Sequence, residues 1–162
     1  MSKCLIANIS KEMMNDLEID YSYLSDQDLQ TKMNDLVIQS NQEETKMSLS
    51  LSFVYMYDYE EEKMSKITKQ LKSKGINAIF VASTPYNLSW SLKDLLDEVM
   101  QEHELFQTKA RLKEVMMQFS LGENKMQAEM VLMEAFIIFQ GNDVKAMNQM
   151  IEKLESLQKD LG

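Results

Sequence analysis

The 162-residue chain has one cysteine, one proline, one tryptophan, one histidine and four glycines. A single cysteine excludes an intrachain disulfide and a cysteine-based zinc site, and it fits a reducing compartment. Reactive thiols need an electropositive, partly exposed setting. Cys4 lies instead in the apolar run 4–9, so a buried structural thiol is expected there. With one histidine and no nucleophile elbow, no Ser-His-Asp set can be nominated and no catalytic residue is assigned. Gly75 and Gly122 stand alone, so there is no glycine-rich phosphate loop and no cofactor is expected. So few glycines and prolines favour helices with short polar connections. The amino-terminal apolar run is too short for a signal peptide or a spanning helix, and a cytosolic protein without membrane contact is expected.

Positive charge is scarce as well. Seventeen lysines and arginines face 26 acids, a formal charge of −9. That balance keeps a small protein soluble and opposes binding to phosphate backbones or anionic membranes. Lys63, Lys66, Lys69, Lys72 and Lys74 follow Glu60, Glu61 and Glu62 and read as a solvated helix face. Basic residues do not interleave with aromatics, so nucleic acid is not expected as a partner.

Hydrophobic residues make up 44%, enough for a real core. Residues 4–9 read as a first strand. Ser10 is placed to cap a helix over 11–17 with Met13, Met14 and Leu17 on one side. Residues 19–24 alternate as a half-buried strand. Ser25 and Asp28 have capping-box spacing before a helix that turns Leu29, Met33, Leu36 and Val37 inward. The polar stretch 40–46 is a loop. Alternating serine and leucine over 48–52, then Phe53, Val54 and Tyr55, predict a strand over 48–57. Residues 60–74 form a helix stopped by Gly75. The continuous apolar run 76–81 predicts a strand buried on both faces. Two β-α-β units in tandem, each with a parallel crossover, therefore make an α/β (or α+β) sheet of about four strands with packed helices.

Beyond residue 92 no strand is indicated. Leu92, Leu95, Leu96, Val99 and His103 line one helix, and Leu112, Val115, Met116 and Phe119 line another. Leu121 to Asn124 break the pattern. Residues 126–139 are apolar nearly all round, which predicts a buried helix. Val144, Met147, Ile151, Leu154 and Leu161 form a seam on the last one. The expected organisation is an α/β domain over 1–106 and a helical extension over 107–162, the latter packing on the former, on a second copy or on a partner.

Between the last strand and the helix from Leu92 lies the loop 84–90, with the only proline and the only tryptophan. Pro85 forces Thr84 to be extended, and Tyr86-Asn87 is a natural turn. Ser91 and Asp94 fit a capping box, and free N–H groups at that helix start suit an anion. The carboxyl end of a strand is where open α/β sheets tend to bind ligands. Thr84, Tyr86, Asn87, Ser89 and Trp90 are therefore candidate ligand-binding residues. The competing reading is that Asn87 and Ser91 fix the loop while Trp90 anchors it. The segment resembles an uncharacterised bacterial domain family with the hallmark Thr-Pro-x-Asn-x-x-Trp before an acidic amphipathic helix. Here Thr84, Pro85, Asn87 and Trp90 supply the hallmark, followed by Leu92, Leu95, Leu96, Glu98, Glu102 and His103. The resemblance extends over roughly residues 1–106 and implies fold and location, without an activity.

His103 adjoins Glu102, which points elsewhere on a helix, and its spacing from Leu96 and Val99 favours packing over metal binding; no metal site is assigned. Fifteen methionines concentrate in the helices, and flexible methionine surfaces suit adaptable partners. Met126, Met130, Met133, Met147 and Met150 are the candidate interaction surface, with gap-filling in the core as the competing reading. The first functional reading is a noncatalytic interaction or regulatory protein that binds a protein partner or forms a homodimer through these helices. The second is a small-molecule binder or enzyme using the loop 84–90.

Overall fold

Short alternating segments build a sheet, and longer apolar periodicities build helices, in two separate parts of the chain. The computed structural model describes residues 1–161, excluding the side chain of Leu161. The chain divides into two compact units, Met1–Asp97 and Glu98–Gly162.

In the first unit β1 (Lys3–Ala7), α1 (Lys11–Asn15) and β2 (Tyr21–Tyr23) are followed by a 3-10 turn over Asp26–Asp28 and by α2 (Met33–Leu36). Then come β3 (Ser52–Tyr57), α3 (Glu61–Ser73), β4 (Ala78–Ala82), a 3-10 turn over Asn87–Ser89, and the start of α4 (Leu92–Gln118). The sheet order is β2-β1-β3-β4. β1 and β2 pair in parallel, as do β3 and β4, while β1 and β3 are antiparallel. Each expected crossover is thus present, and the two join edge to edge as a mixed sheet. Cys4 and Ile6 of β1 and Val54 and Met56 of β3 share a core with Met14, Ile67 and Leu71. The alternate residues Leu5, Phe53 and Tyr55 are buried too, so the two central strands are covered on both faces.

The caps match the residues that form them. Ser10 accepts from the Met13 amide at the start of α1, and Ser25 and Asp28 form a reciprocal box. At the end of α3, Gly75 takes φ +83°. Its N–H bonds Lys72 and that of Ile76 bonds Leu71, the paired bonds of a Schellman motif.

Four expectations change in this unit. The strand read over 48–57 begins only at Ser52. Its partner β1 ends at Ala7, opposite Phe53. Asn8, at φ +60°, then holds the Leu49 and Leu51 carbonyls and the Met47 N–H with its side chain. The strand read as buried on both faces over 76–81 is β4, half-exposed along its length, because it is an edge strand with β3 as its neighbour. The capping box at Ser25 opens a 3-10 turn, and the following α-helix is limited to Met33–Leu36. Met13 is 40% exposed whereas Met14 is fully buried, since one short turn of helix presents only one of them to the sheet.

The second unit contains the rest of α4, α5 (Lys125–Phe139) and α6 (Val144–Leu161). Leu112, Phe119 and Leu121 pack with Val131 and Ala135 of α5 and with Met147, Met150, Ile151 and Leu154 of α6. The predicted α6 seam is buried at Met147, Ile151 and Leu154, half-buried at Val144, and outside the described side chains at Leu161. Asp143 caps that helix through the Ala146 N–H. The α5 expectation is corrected: only Val131 and Ala135 of this apolar helix are buried. With α4 and α6 both packed on one side of it, its other side faces solvent.

Candidate functional site

Thr84 to Trp90 close on themselves through Asn87, which is buried. The Asn87 Oδ1 accepts from the Thr84 N–H at 2.9 Å and from the Tyr55 hydroxyl at 2.6 Å. Its Nδ2 donates to the Ala82 carbonyl at 3.0 Å, and its N–H donates to the Thr84 Oγ1 at 3.0 Å. Burial, with Tyr57 nearby, raises the Tyr55 phenol above its ordinary range, so it stays a neutral donor. One asparagine therefore ties the end of β4, the turn after Pro85 and the centre of β3 together.

The loop continues into a second clamp. Trp90 accepts from the Met33 N–H, and Lys32 and Ser91 form an antiparallel bridge. The Leu92 N–H donates to Thr31 and the Lys93 N–H to Leu29, each at 2.9 Å. The Asp94 and Leu95 N–H groups bond the Ser91 Oγ and carbonyl. These are the groups that would otherwise be free at a helix start. The expected anion site at this helix is therefore corrected: its donors are already engaged by protein acceptors. The side chains of Thr84, Tyr86, Ser89 and Trp90 lie on the exposed side of the loop.

In the helical unit α4 and α5 border an open apolar groove of about 770 Å³. Met116, Met117 and Lys113 come from α4, and Glu129, Leu132, Met133 and Phe136 come from α5. Further along, the Lys109 ammonium sits 5.5 Å from the centre of the Phe139 ring, a cation–π contact. Met126, Met130, Met133 and Ile137 are 76%, 67%, 67% and 67% exposed. They follow one another at spacings of four, three and four, which forms a single stripe on a helix. Its direction is opposite to that of the buried Val131 and Ala135.

Residues 52–106 match the family described as Domain of unknown function (DUF3783). The match spans 55 of the 162 residues and brings no activity with it. The DUF3783 match takes in β3, α3, β4, the loop 84–90 and α4 as far as Phe106. The expected resemblance began at residue 1; β1, α1 and β2 lie outside the match. No curated protein and no solved structure matches the chain.

The DUF3783 segment thus holds all five loop candidates, and Asn87 alone among them is buried. The methionine set divides. Met126, Met130 and Met133 are exposed, whereas Met147 and Met150 are 0% and 2% exposed. The last two are corrected to core residues: both lie on the inward face of α6, packed with Ile151 and Leu154. Ile137 and Phe136, 67% and 52% exposed, belong to the surface in their place; the four-three-four spacing on α5 is the signal that finds Ile137, and Phe136 is found by its place in the groove lining. Tyr55 was equally hidden, because its partner Asn87 is 32 residues away. Cys4 is fully buried, and burial pushes its thiol up to about 12. His103 has a buried Nε2 without a hydrogen-bond partner, and among the described residues no three histidine, cysteine or acidic groups converge. None of the described helices is long and apolar enough to cross a membrane.

Proposed function

We propose that the chain is a noncatalytic protein-interaction module of the bacterial cytosol. Its α/β unit is the scaffold and the outer face of α5 is the contact surface. The observation that carries this reading is the exposed stripe Met126, Met130, Met133 and Ile137. Scattered exposed apolar residues need no explanation, but a contiguous apolar patch marks a binding surface. Methionine suits the role, since its unbranched chain adapts to the opposing surface. A small-ligand or catalytic role for the loop 84–90 has weaker support, because the Asn87 side chain is engaged on both its oxygen and its nitrogen. The test is affinity capture from bacterial cytosol with the full chain and with Met130→Glu/Ile137→Glu. A protein held by the first and lost from the second is expected. Equal capture by both refutes the reading.

A further inference from the structure

Resting on that reading, we infer that the occupant of the α5 face is a second copy of this chain. The two α5 helices lie antiparallel across a two-fold axis that passes between Met130 and Met133. Three observations lead there.

The first is area. With Phe136 and Met117, 52% and 77% exposed, the stripe presents on the order of 700 Å², near the ~800 Å² per partner of a standard interface. The second is self-complementarity. Four-three-four spacing places Met126, Met130, Met133 and Ile137 at the seam positions of a two-stranded helical pair. An antiparallel pair sets Met126 opposite Ile137 and Met130 opposite Met133, so the patch meets itself, as a two-fold interface requires.

The third is charge, and it fixes the direction. Glu129 and Glu134 flank the seam five residues apart, the separation that brings side chains together across a parallel pair. Parallel helices would thus oppose two carboxylates. In the antiparallel pair the groove side of one α5 meets the groove side of the other, and the groove-side residue nearest Glu129 is Phe136 of the second copy, two residues or about 3 Å from exact register. Lys113 lines the groove with Phe136. Lys109, one turn before Lys113, sits over Phe139, so Lys113 is level with Phe136 on the adjoining helix. Glu129 therefore meets Lys113 of the second copy, twice by symmetry. Among the described residues no ion pair within the chain uses Lys113 or Glu129, whereas Glu134 is already paired with Lys153 at 2.9 Å.

The test is sedimentation of the full chain over a dilution series, with folding of each variant checked by circular dichroism. The wild type is expected to dimerise and Met130→Glu to remain monomeric and folded. Exposed ion pairs are weak, so Glu129→Lys should loosen the dimer by roughly fivefold. Adding Lys113→Glu should restore it. Under a copper–phenanthroline oxidant, Met126→Cys and Ile137→Cys chains should cross-link when mixed and not when alone; Cys4, fully buried, takes no part. Tightening by Glu129→Lys, or self-linking of Met126→Cys alone, overturns the antiparallel arrangement. A wild type that is monomeric at every concentration overturns self-association. The docking reading then stands or falls separately, on whether Met130→Glu/Ile137→Glu loses a captured protein.

Discussion

Removing the side chain of Asn87 tests how far the loop 84–90 depends on it. In Asn87→Ala three side-chain hydrogen bonds disappear. The Thr84 N–H and the Ala82 carbonyl belong to exposed residues, and water can replace the lost partner, at about 0.5–1 kcal/mol each. Tyr55 is fully buried, so its hydroxyl is left without an acceptor at about 1–3 kcal/mol. The sum is about 3 kcal/mol, which lowers the urea midpoint by roughly 1.5 M at a slope of about 2 kcal/mol per molar. Trp90, the only tryptophan and three residues beyond Asn87, reports unfolding of the α/β unit by fluorescence. Tyr55→Phe removes the donor and leaves Asn87 its other partners, so it costs about 1 kcal/mol. In the Tyr55→Phe background Asn87→Ala should cost about 1–2 kcal/mol less than in the wild type. An unchanged cost would show that hydroxyl and amide are uncoupled. An Asn87→Ala midpoint equal to that of the wild type would refute the clamp altogether.

Other consequences are as direct. Gly75→Ala meets no atom within 4 Å but must keep φ +83°, so it should lower stability by about 1 kcal/mol from backbone strain alone, measured by urea unfolding. Met150→Ala, in the helical core, should cost about 2–4 kcal/mol by thermal denaturation. Met130→Ala, exposed on α5, should leave monomer stability within about 0.5 kcal/mol. Burial raises the Cys4 thiol from 9.0 to about 12, burial and Glu44 raise the Tyr23 phenol from 10.0 to about 12, and burial beside Cys4 raises Tyr59. These groups stay neutral in the fold and ionise when it opens. Their contribution is complete below pH 9 and lost as pH rises from 9 towards 12. Urea midpoints should therefore fall over that range, starting later in Cys4→Ala.

The parts of the fold legible in the sequence are those governed by local chemistry. Ser10, Gly75 and Asp143 announce helix ends because the bonds they make lie within a few residues. The two parallel crossovers follow from strand-helix-strand order. What escaped the sequence depends on distant partners. Nothing near residues 48–51 says that Asn8 takes two of their carbonyls. Nothing in the run 76–81 says that β4 lies at the edge, because a continuous apolar run reads the same whether one neighbour or two adjoin it. In the loop, Asn87 was legible as a fixing residue and Tyr55 was not. The anion reading of the α4 start failed for the same reason: its acceptors, Thr31 and Leu29, come from a segment some sixty residues earlier.

The outer stripe of α5 calls for a partner because the neighbouring α6 has no such stripe. Both helices belong to the same unit and share one core. Opposite its buried seam α6 carries Lys145, Gln149, Glu152, Ser156 and Lys159, all exposed. That is the ordinary solution for a helix with water on one side. α5 has the same situation and the opposite composition: Met126, Met130, Met133 and Ile137 stand where α6 has charge and amide groups. General hydrophobicity of the unit does not account for this, since its neighbour is polar outside. Core demand does not either, since Val131 and Ala135 already supply the buried face. An apolar stripe in water has no favourable counterpart in the isolated unit, whereas covering it removes that area from solvent at roughly 25 cal/mol per Å². A helix apolar on two opposite faces is built to be covered on both. α4 and α6 cover one face within the chain, and the four-three-four spacing of the other face gives the periodicity of a further helix laid along it.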